Sequence, residues 1–293
     1  MMIWLIGNRG MLGAEVEALL KKQGLPYMAT DLELDIADPD QAAAFIEGKP
    51  VSFIINCAAY TAVDQAEDEP GPAFRANADG PLNLARIARA KQAKLIHISS
   101  DYVFDGTKTG PYGETDTPHP LGIYGQSKYT GEQNIIATTN AHFIIRTAWL
   151  YGRHGRNFVY TVLRLLQERK ELRVVGDQFG SPTYAPDLAA AILKIVQEGR
   201  DRHGIYHFTN EGRTSWYLFA CAIADIAKKQ GKLPEECRVF EITTDQYPTK
   251  AKRPANSVLS TAKIQNSFNL HIRPWQAALE EFLFEVNIPE PTG

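Results

Sequence analysis

The sequence is poor in the features that mark exported, membrane-bound or nucleic-acid-binding proteins. Its three cysteines, Cys57, Cys221 and Cys237, are an odd set without CxxC spacing in a chain of 293 residues. That usage points to a reducing cytoplasm and away from a disulfide framework. No apolar run approaches the ~20 residues that a membrane span needs, so no membrane partner is expected. The opening Ile3-Trp4-Leu5-Ile6 has no charged leader and no small-residue cleavage site, and it runs straight into glycines. A buried strand is expected there, not an export signal. The net charge of −3 leaves no basic excess, which excludes nucleic acid as an expected partner. Lys21-Lys22 and Lys228-Lys229 read as solvated helix faces. G-x-S-x-G elbow, P-loop, internal repeat and low-complexity segment are all missing. Only His203 and His207 stand at i, i+4, in a stretch that reads as turn and strand, and no Cys/His/acid cluster accompanies them. No metal site is expected.

What is there is ordinary globular composition, 44% hydrophobic and 22% charged, in a length ample for one large domain or one with a smaller partner. Strands are expected at 2–6, 26–30, 51–56, 94–98 and 142–146, with amphipathic stretches near 11–23, 39–47, 72–92 and 123–138 between them. Such alternation predicts an α/β fold, a Rossmann-type doubly wound parallel sheet with right-handed crossovers. Open sheets of this kind bind ligands beyond the carboxyl ends of their strands. After about residue 150 the loops lengthen and fill with Pro, Gly and aromatics, as in Val175 to Tyr184. Helices are expected at 157–169, 186–197, 215–230 and 274–286, with a strand at 204–208. Residues 1–150 thus read as a dinucleotide-binding domain and 151–293 as a smaller substrate-side lobe. The two are interleaved, with about 174–200 returning to the main sheet.

Three motifs fall at expected strand ends. Gly7-Asn8-Arg9-Gly10-Met11-Leu12-Gly13 follows the first strand and opens a helix. Glycines there permit a tight turn and let backbone N–H groups approach a pyrophosphate at a helix N-terminus. The spacing is G-x-x-G-x-x-G, looser than the strict G-x-G-x-x-G. Asp31, after the second strand, can bond a ribose 2′-hydroxyl and repel a 2′-phosphate, whereas Arg9 can attract that phosphate. NADH and NADPH therefore both stay open. Asp35-Ile36 serves equally as an adenine-side contact or as a loop cap. Ser99-Ser100-Asp101-Tyr102 ends the fourth strand, where Ser100 can hydrogen-bond a substrate oxygen while charge develops; a simple Ser or Asx turn would place the same residues there. Tyr124 and Lys128, four apart, share one helix face. The Lys128 ammonium can then lower a phenol pKa that starts near ~10, and such a pair suits proton exchange with an alcohol or ketone. The Tyr–Lys spacing alone is weak, and its position one element after Ser100 is what gives it meaning. Asp64 and Glu67 read as early-turn helix charges.

The glycine loop, Asn56-Cys57-Ala58-Ala59, Ser100 and the Tyr124/Lys128 pair together resemble the extended short-chain dehydrogenase/reductase superfamily. More narrowly, the chain resembles the dTDP-4-dehydrorhamnose reductases over nearly its whole length. The segments that carry this are Ala59-Tyr60-Thr61-Ala62-Val63-Asp64, Ser100-Asp101-Tyr102-Val103-Phe104, Arg146 to Gly152, Asp177 to Thr183 and Arg253-Pro254-Ala255-Asn256-Ser257. The last two are far more specific than the Tyr–Lys element. The resemblance implies reduction of the 4-keto group of a dTDP-6-deoxyhexulose with NADPH or NADH, with Tyr124 as proton donor, Lys128 on the nicotinamide ribose and Ser100 on the keto oxygen. It also implies cofactor contacts from Gly7 to Gly13 and from Asp31, Asp35, Ile36, Ala58, Ala59, Tyr60 and Ser99. Tyr102 and Trp149 would pack on the sugar, with Asn157 and Arg253 on the nucleotide side. Some relatives dimerise through a magnesium site of glutamates. Glu15 matches one of these, but Ala185-Pro186-Asp187 offers no second, so Mg2+ is not carried over and a monomer or a homodimer is expected.

Three alternatives share parts of this pattern. A sugar-nucleotide dehydratase would follow the strand-end hydroxyl with Asp-Glu, and here Tyr102 stands in place of the glutamate. An epimerase, or another sugar-nucleotide ketoreductase, shares the fold and the Tyr–Lys pair. A non-catalytic subunit resembling the β subunit of methionine adenosyltransferase could lose the Ser/Tyr/Lys set, which is intact here.

Overall fold

The computed structural model describes residues 1–199 and 201–286. Six strands, β1 (Ile3–Ile6), β2 (Tyr27–Thr30), β3 (Phe53–Asn56), β4 (Lys94–Ser100), β5 (His142–Thr147) and β6 (Gly204–His207), form one sheet. Its order is β6-β5-β4-β3-β1-β2, and every neighbouring pair is parallel. Every residue of β1, β3 and β5 is buried, because helices cover both faces. These strands therefore read as unbroken apolar runs. The order reverses between β1 and β3, which opens a crevice at their carboxyl ends.

Side chains alternate across each strand, so β1 feeds two cores. Ile3 and Leu5 join Val16, Ile55, Phe143, Leu188 and Ile192 on one face. Trp4 and Ile6 join Ile54, Leu84, Ala88 and Ile144 on the other. A third core gathers Leu163, Phe219, Leu279 and Phe282 from the helices Phe158–Arg169, Trp216–Lys229 and Trp275–Glu285. The chain returns to the main sheet as the helix Ala185–Glu198, which packs on the helix Met11–Lys22, and then as β6. Val174 and Val175 belong instead to a small parallel pair, Glu171–Val175 with Arg238–Ile242. No helix among the described residues is long and apolar enough to cross a membrane.

The stretch expected as one helix over 72–92 is three consecutive pieces. An α-helical turn at Pro70–Phe74 passes into a π turn at Arg75–Asp79, and the α-helix Gly80–Lys91 follows. Gly80 N–H reaches back five residues to Arg75 O. Pro81 has no N–H to offer Asn77 O, and the helix Ile123–Thr138 approaches that free carbonyl so closely that a Cβ at Gly131 would overlap it. The π turn is thus the imprint of the neighbouring helix.

That neighbouring helix is tied to β5 by a buried ion pair. Arg146 Nε and Nη2 donate to Glu132 Oε1 and Oε2 at 2.9 and 2.6 Å, with side chains 1% and 0% exposed. The Phe104 ring lies 5.1 Å from the guanidinium. His207, 3.5 Å from Arg146 Nη1, is driven down to a pKa of about 3 by burial and then by the Arg146 charge, so it stays neutral. Glu132→Ala would leave the guanidinium buried without a partner, and a loss of ~3–5 kcal/mol in unfolding free energy is expected. Urea denaturation reads this directly; a loss below ~1 kcal/mol would show that the pair is not a structural tie.

Candidate active site

The helix Ile123–Thr138 starts at Gly122, which has no side chain to cap it. Glu67 supplies the cap from a distant segment: its Oε1 accepts Ile123 N–H at 2.8 Å. Ser127 Oγ donates to Tyr124 O at 2.8 Å and accepts from Asn77 Nδ2 at 3.0 Å. The same Asn77 side chain clamps Tyr60 through its backbone N–H and carbonyl, at 2.9 and 3.0 Å. The segment after β3 and the helix bearing Tyr124 and Lys128 are thereby held in one register. The Tyr124 ring stands edge-on to Tyr102, with centroids 5.4 Å apart. Lys128 Nζ donates to Ile98 O of β4 at 2.7 Å.

These groups face a cleft of about 530 Å³. It brings together Gly10, Met11 and Leu12 of the glycine loop, Ala59, Ser99, Ser100, Tyr102, Tyr124, Lys128 and Trp149, with Arg156 at its side. A second cavity of about 750 Å³ shares Tyr102 and is lined by Arg169, Arg173, Arg253, Phe158, Trp216 and Tyr247, among others. Trp149 adopts a left-handed backbone, φ +47°, rare for a bulky residue and typical of strain kept at sites. Its indole stacks on Trp216 with centroids 3.6 Å apart, so the two rings stand between the cavities.

Burial dominates the electrostatics. It pushes Tyr124 up to about 12, against the opposing Ser100 hydroxyl. It brings Lys128 down to about 8, with Glu132 and Cys57 acting the other way. The expected lowering of Tyr124 by Lys128 is therefore reversed: the ammonium is engaged by Ile98 O, and desolvation of the phenolate outweighs neighbouring charge. Tyr124 is a neutral phenol at pH 7, a proton donor already loaded. Ser100 Oγ donates to Asp101 Oδ1 at 3.0 Å and accepts Tyr102 N–H at 3.1 Å. Asp101 is 3% exposed, its Oδ2 has no partner, and burial raises its pKa to about 6.

The glycine loop fits a dinucleotide diphosphate. Gly7 has φ +79°, and a Cβ there would stand 2.7 Å from Ala58 N; a Cβ at Gly13 would overlap Gly7 O. Gly10 caps the helix Met11–Lys22 without a side chain, which leaves first-turn N–H groups open to an anion. Asn56 Oδ1 accepts Ala58 N–H at 3.1 Å, and its Nδ2 lies 3.0 Å from the buried His97 Nδ1. Asp31 lies at the carboxyl end of β2, where its Oδ2 accepts Arg9 N–H at 2.8 Å.

Asp35, Asn157 and Glu67 each take a structural role. Ile36 is buried in the core, and Asp35 caps its own turn, Oδ1 accepting Ala37 N–H at 2.9 Å, while Oδ2 pairs with Arg75. Asp35 thus caps its own loop, one of the two roles the sequence left open. Asn157 lines neither cavity: its Oδ1 caps the helix Phe158–Arg169 through Tyr160 N–H at 3.1 Å, and its Nδ2 donates to Gly152 O at 2.8 Å. Glu67 is not an early-turn charge but sits near the end of the helix Val63–Asp68. Asp64, in the first turn of that helix, also pairs with Arg253 Nη2 at 2.6 Å.

A family model described as the RmlD substrate binding domain matches residues 1–288. A dTDP-4-dehydrorhamnose reductase of Aggregatibacter actinomycetemcomitans is 45% identical, over 94% of this chain and 95% of its own. The spore coat polysaccharide biosynthesis protein SpsK of Bacillus subtilis is 41% identical, over 95% of each. The chain belongs to the dTDP-4-dehydrorhamnose reductase family. Among solved structures, a dTDP-4-dehydrorhamnose reductase of Bacillus anthracis in complex with NADP superposes with a TM-score of 0.91, at 38% identity, covering 97% of this chain and 99% of that one.

In this family member, Glu15 is 7% exposed, its Oε1 has no hydrogen-bond partner, and His154 Nε2 lies 3.9 Å away. No group of three His, Cys, Asp or Glu among the described residues comes together to hold a metal. Sequence reading gave Asp101 no role of its own and missed Asn77 and the capping by Glu67. The last had a signal: a helix opening on glycine leaves an N–H that some acceptor must meet.

Glu67→Ala is expected to cost ~1 kcal/mol of stability, the usual worth of a cap, and to lower turnover by misplacing Tyr124; unchanged unfolding and kcat would remove Glu67 from the site. Asp101 gives a pH prediction with a definite sign. Its folded pKa of about 6 lies above the unfolded ~3.9, so between the two the native state holds more protons. Stability should fall as pH rises through that window and level off above it. Asp101→Asn should abolish that fall in Tm against pH, and an unaltered slope would show that another group carries it.

Proposed function

We propose that this protein reduces the 4-keto group of dTDP-6-deoxy-L-lyxo-4-hexulose (dTDP-4-dehydro-L-rhamnose) to dTDP-L-rhamnose with NADPH or NADH, supplying a nucleotide sugar for cell-surface polysaccharide. The observation that carries this is the convergence of Ser100, Tyr124 and Lys128 on one cleft floored by the glycine loop, in a chain of this family. Residues 1–150 would hold the cofactor through Gly7 to Gly13, Asp31, Ala58 to Tyr60 and Ser99, and residues 151–293 would complete the nucleotide-sugar site.

A reduced nicotinamide bound there supplies a hydride to the keto carbon. Tyr124 supplies the matching proton to the keto oxygen, which becomes a secondary hydroxyl. Its raised pKa keeps that proton on the phenol until charge develops on the substrate. Ser100 would turn its one hydroxyl proton from Asp101 Oδ1 to the same oxygen when substrate binds. Lys128, still protonated at neutral pH, would stabilise the phenolate left behind and bond the nicotinamide ribose. Tyr102, shared by the two cavities, would mark the sugar, with Trp149 beside it. Arg253 has an unpartnered buried Nη1, and with Arg169 and Arg173 it gives the second cavity the charge to take a nucleotide diphosphate. Tyr102, where a dehydratase would need a glutamate, favours reduction over dehydration.

The test follows cofactor absorbance with keto sugar made in situ by a dehydratase and an epimerase. Consumption should require both upstream enzymes. Tyr124→Phe should lower kcat by ~10²–10⁴-fold, the usual worth of a positioned general acid, with cofactor affinity little changed; near-normal kcat would contradict the assignment. Lys128→Met should weaken cofactor binding and turnover together, and unchanged affinity would remove the ribose contact.

A further inference from the structure

We infer that Asp64 is a positioning residue for nucleotide recognition: it holds the Arg253 guanidinium beside the second cavity, in place to meet the diphosphate of a nucleotide sugar. This rests on the function proposed above and deepens it, because Arg253 is the residue that would touch ligand and Asp64 acts through it.

The short helix Val63–Asp68 carries three carboxylates, Asp64, Glu67 and Asp68, and each reaches out to another segment. Glu67 caps the helix that bears Tyr124. Asp68 pairs with Lys250. Asp64 takes two donors from the substrate-side lobe: Oδ1 accepts Ala251 N–H at 3.0 Å, and Oδ2 accepts Arg253 Nη2 at 2.6 Å. One helix thus latches residues 250–253 on one side and fixes the start of the Tyr–Lys helix on the other.

Arg253 lines the second cavity with Arg169 and Arg173. Of these three, Arg253 alone makes an ion pair among the described residues. The pair engages one edge of the guanidinium and leaves Nη1 buried without a hydrogen-bond partner. An untethered arginine loses rotamer freedom when it engages ligand, whereas a guanidinium held by one edge offers its remaining N–H groups already oriented. Asp64 also faces an incoming diphosphate as a like charge, so its two effects have opposite signs. Its side chain is 45% exposed, against 19% for Arg253, and water and salt screen that repulsion. Positioning therefore wins, and removing the carboxylate should weaken nucleotide binding.

The experiment is calorimetric titration of the whole protein with dTDP, with NADPH affinity measured in parallel as a check on the fold. Asp64→Asn keeps an acceptor for Ala251 N–H and removes the charge that holds Arg253. It should weaken dTDP binding by about fivefold, the upper range for one partly exposed ion pair, and leave NADPH affinity unchanged. The same substitution in an Arg253→Ala background should cost nothing further, because Arg253 is what Asp64 positions. Unchanged or tighter dTDP binding in Asp64→Asn would overturn the inference. So would an equal loss in the Arg253→Ala background, or a parallel loss of NADPH affinity, since either marks a merely structural role. Those results leave the nucleotide reading of the cavity standing, whereas a wild type that binds NADPH and no dTDP would overturn both.

Discussion

Much of this site depends on a buried ion pair that touches no substrate. Glu132 and Arg146 join the Tyr–Lys helix to β5 where neither charge has water to fall back on. Glu132 lies one turn beyond Lys128, on the same helix face. Its carboxylate counters the desolvation that would otherwise strip the lysine of its proton. Glu67 fixes the start of the same helix, and Asn77 fixes its flank through Ser127. A helix braced at its start, its flank and its base presents Tyr124 and Lys128 without relying on ligand to order them.

Burial then tunes the groups so presented. The tyrosine is pushed up, the lysine down and Asp101 up, each for the same reason: the charged form loses water. For a reduction this is the useful direction. The phenol holds its proton at neutral pH, and the lysine keeps enough basicity to be charged when a phenolate forms next to it. Asp101 orients the Ser100 hydroxyl. The three buried groups come from one strand end and one helix, Asp101 after β4 and Tyr124 and Lys128 from the helix Ile123–Thr138.

The sheet was legible in the sequence because fully buried parallel strands leave unbroken apolar runs, and β1, β3 and β5 are buried at every residue. The glycine loop and the Tyr–Lys pair were legible because their spacing is local. What the sequence hid is long-range. Glu67 caps a helix 56 residues away, and Asn77 joins two segments through a π turn caused by Gly131 and Pro81. The capping bonds of Asn157 were equally hidden, because capping and binding use the same amide. The direction of the Tyr124 shift was misread because an i, i+4 argument sees the neighbouring ammonium and not the desolvation.

The most direct test of the central claim, hydride from the cofactor arriving at the keto carbon of the sugar, is isotopic. The reaction would be run with nicotinamide cofactor deuterated at its reactive carbon, and the sugar nucleotide product examined by NMR and mass spectrometry. The account predicts a single deuterium, carbon-bound at sugar C4. Product formed without deuterium at C4, or deuterium found at another carbon, would contradict it.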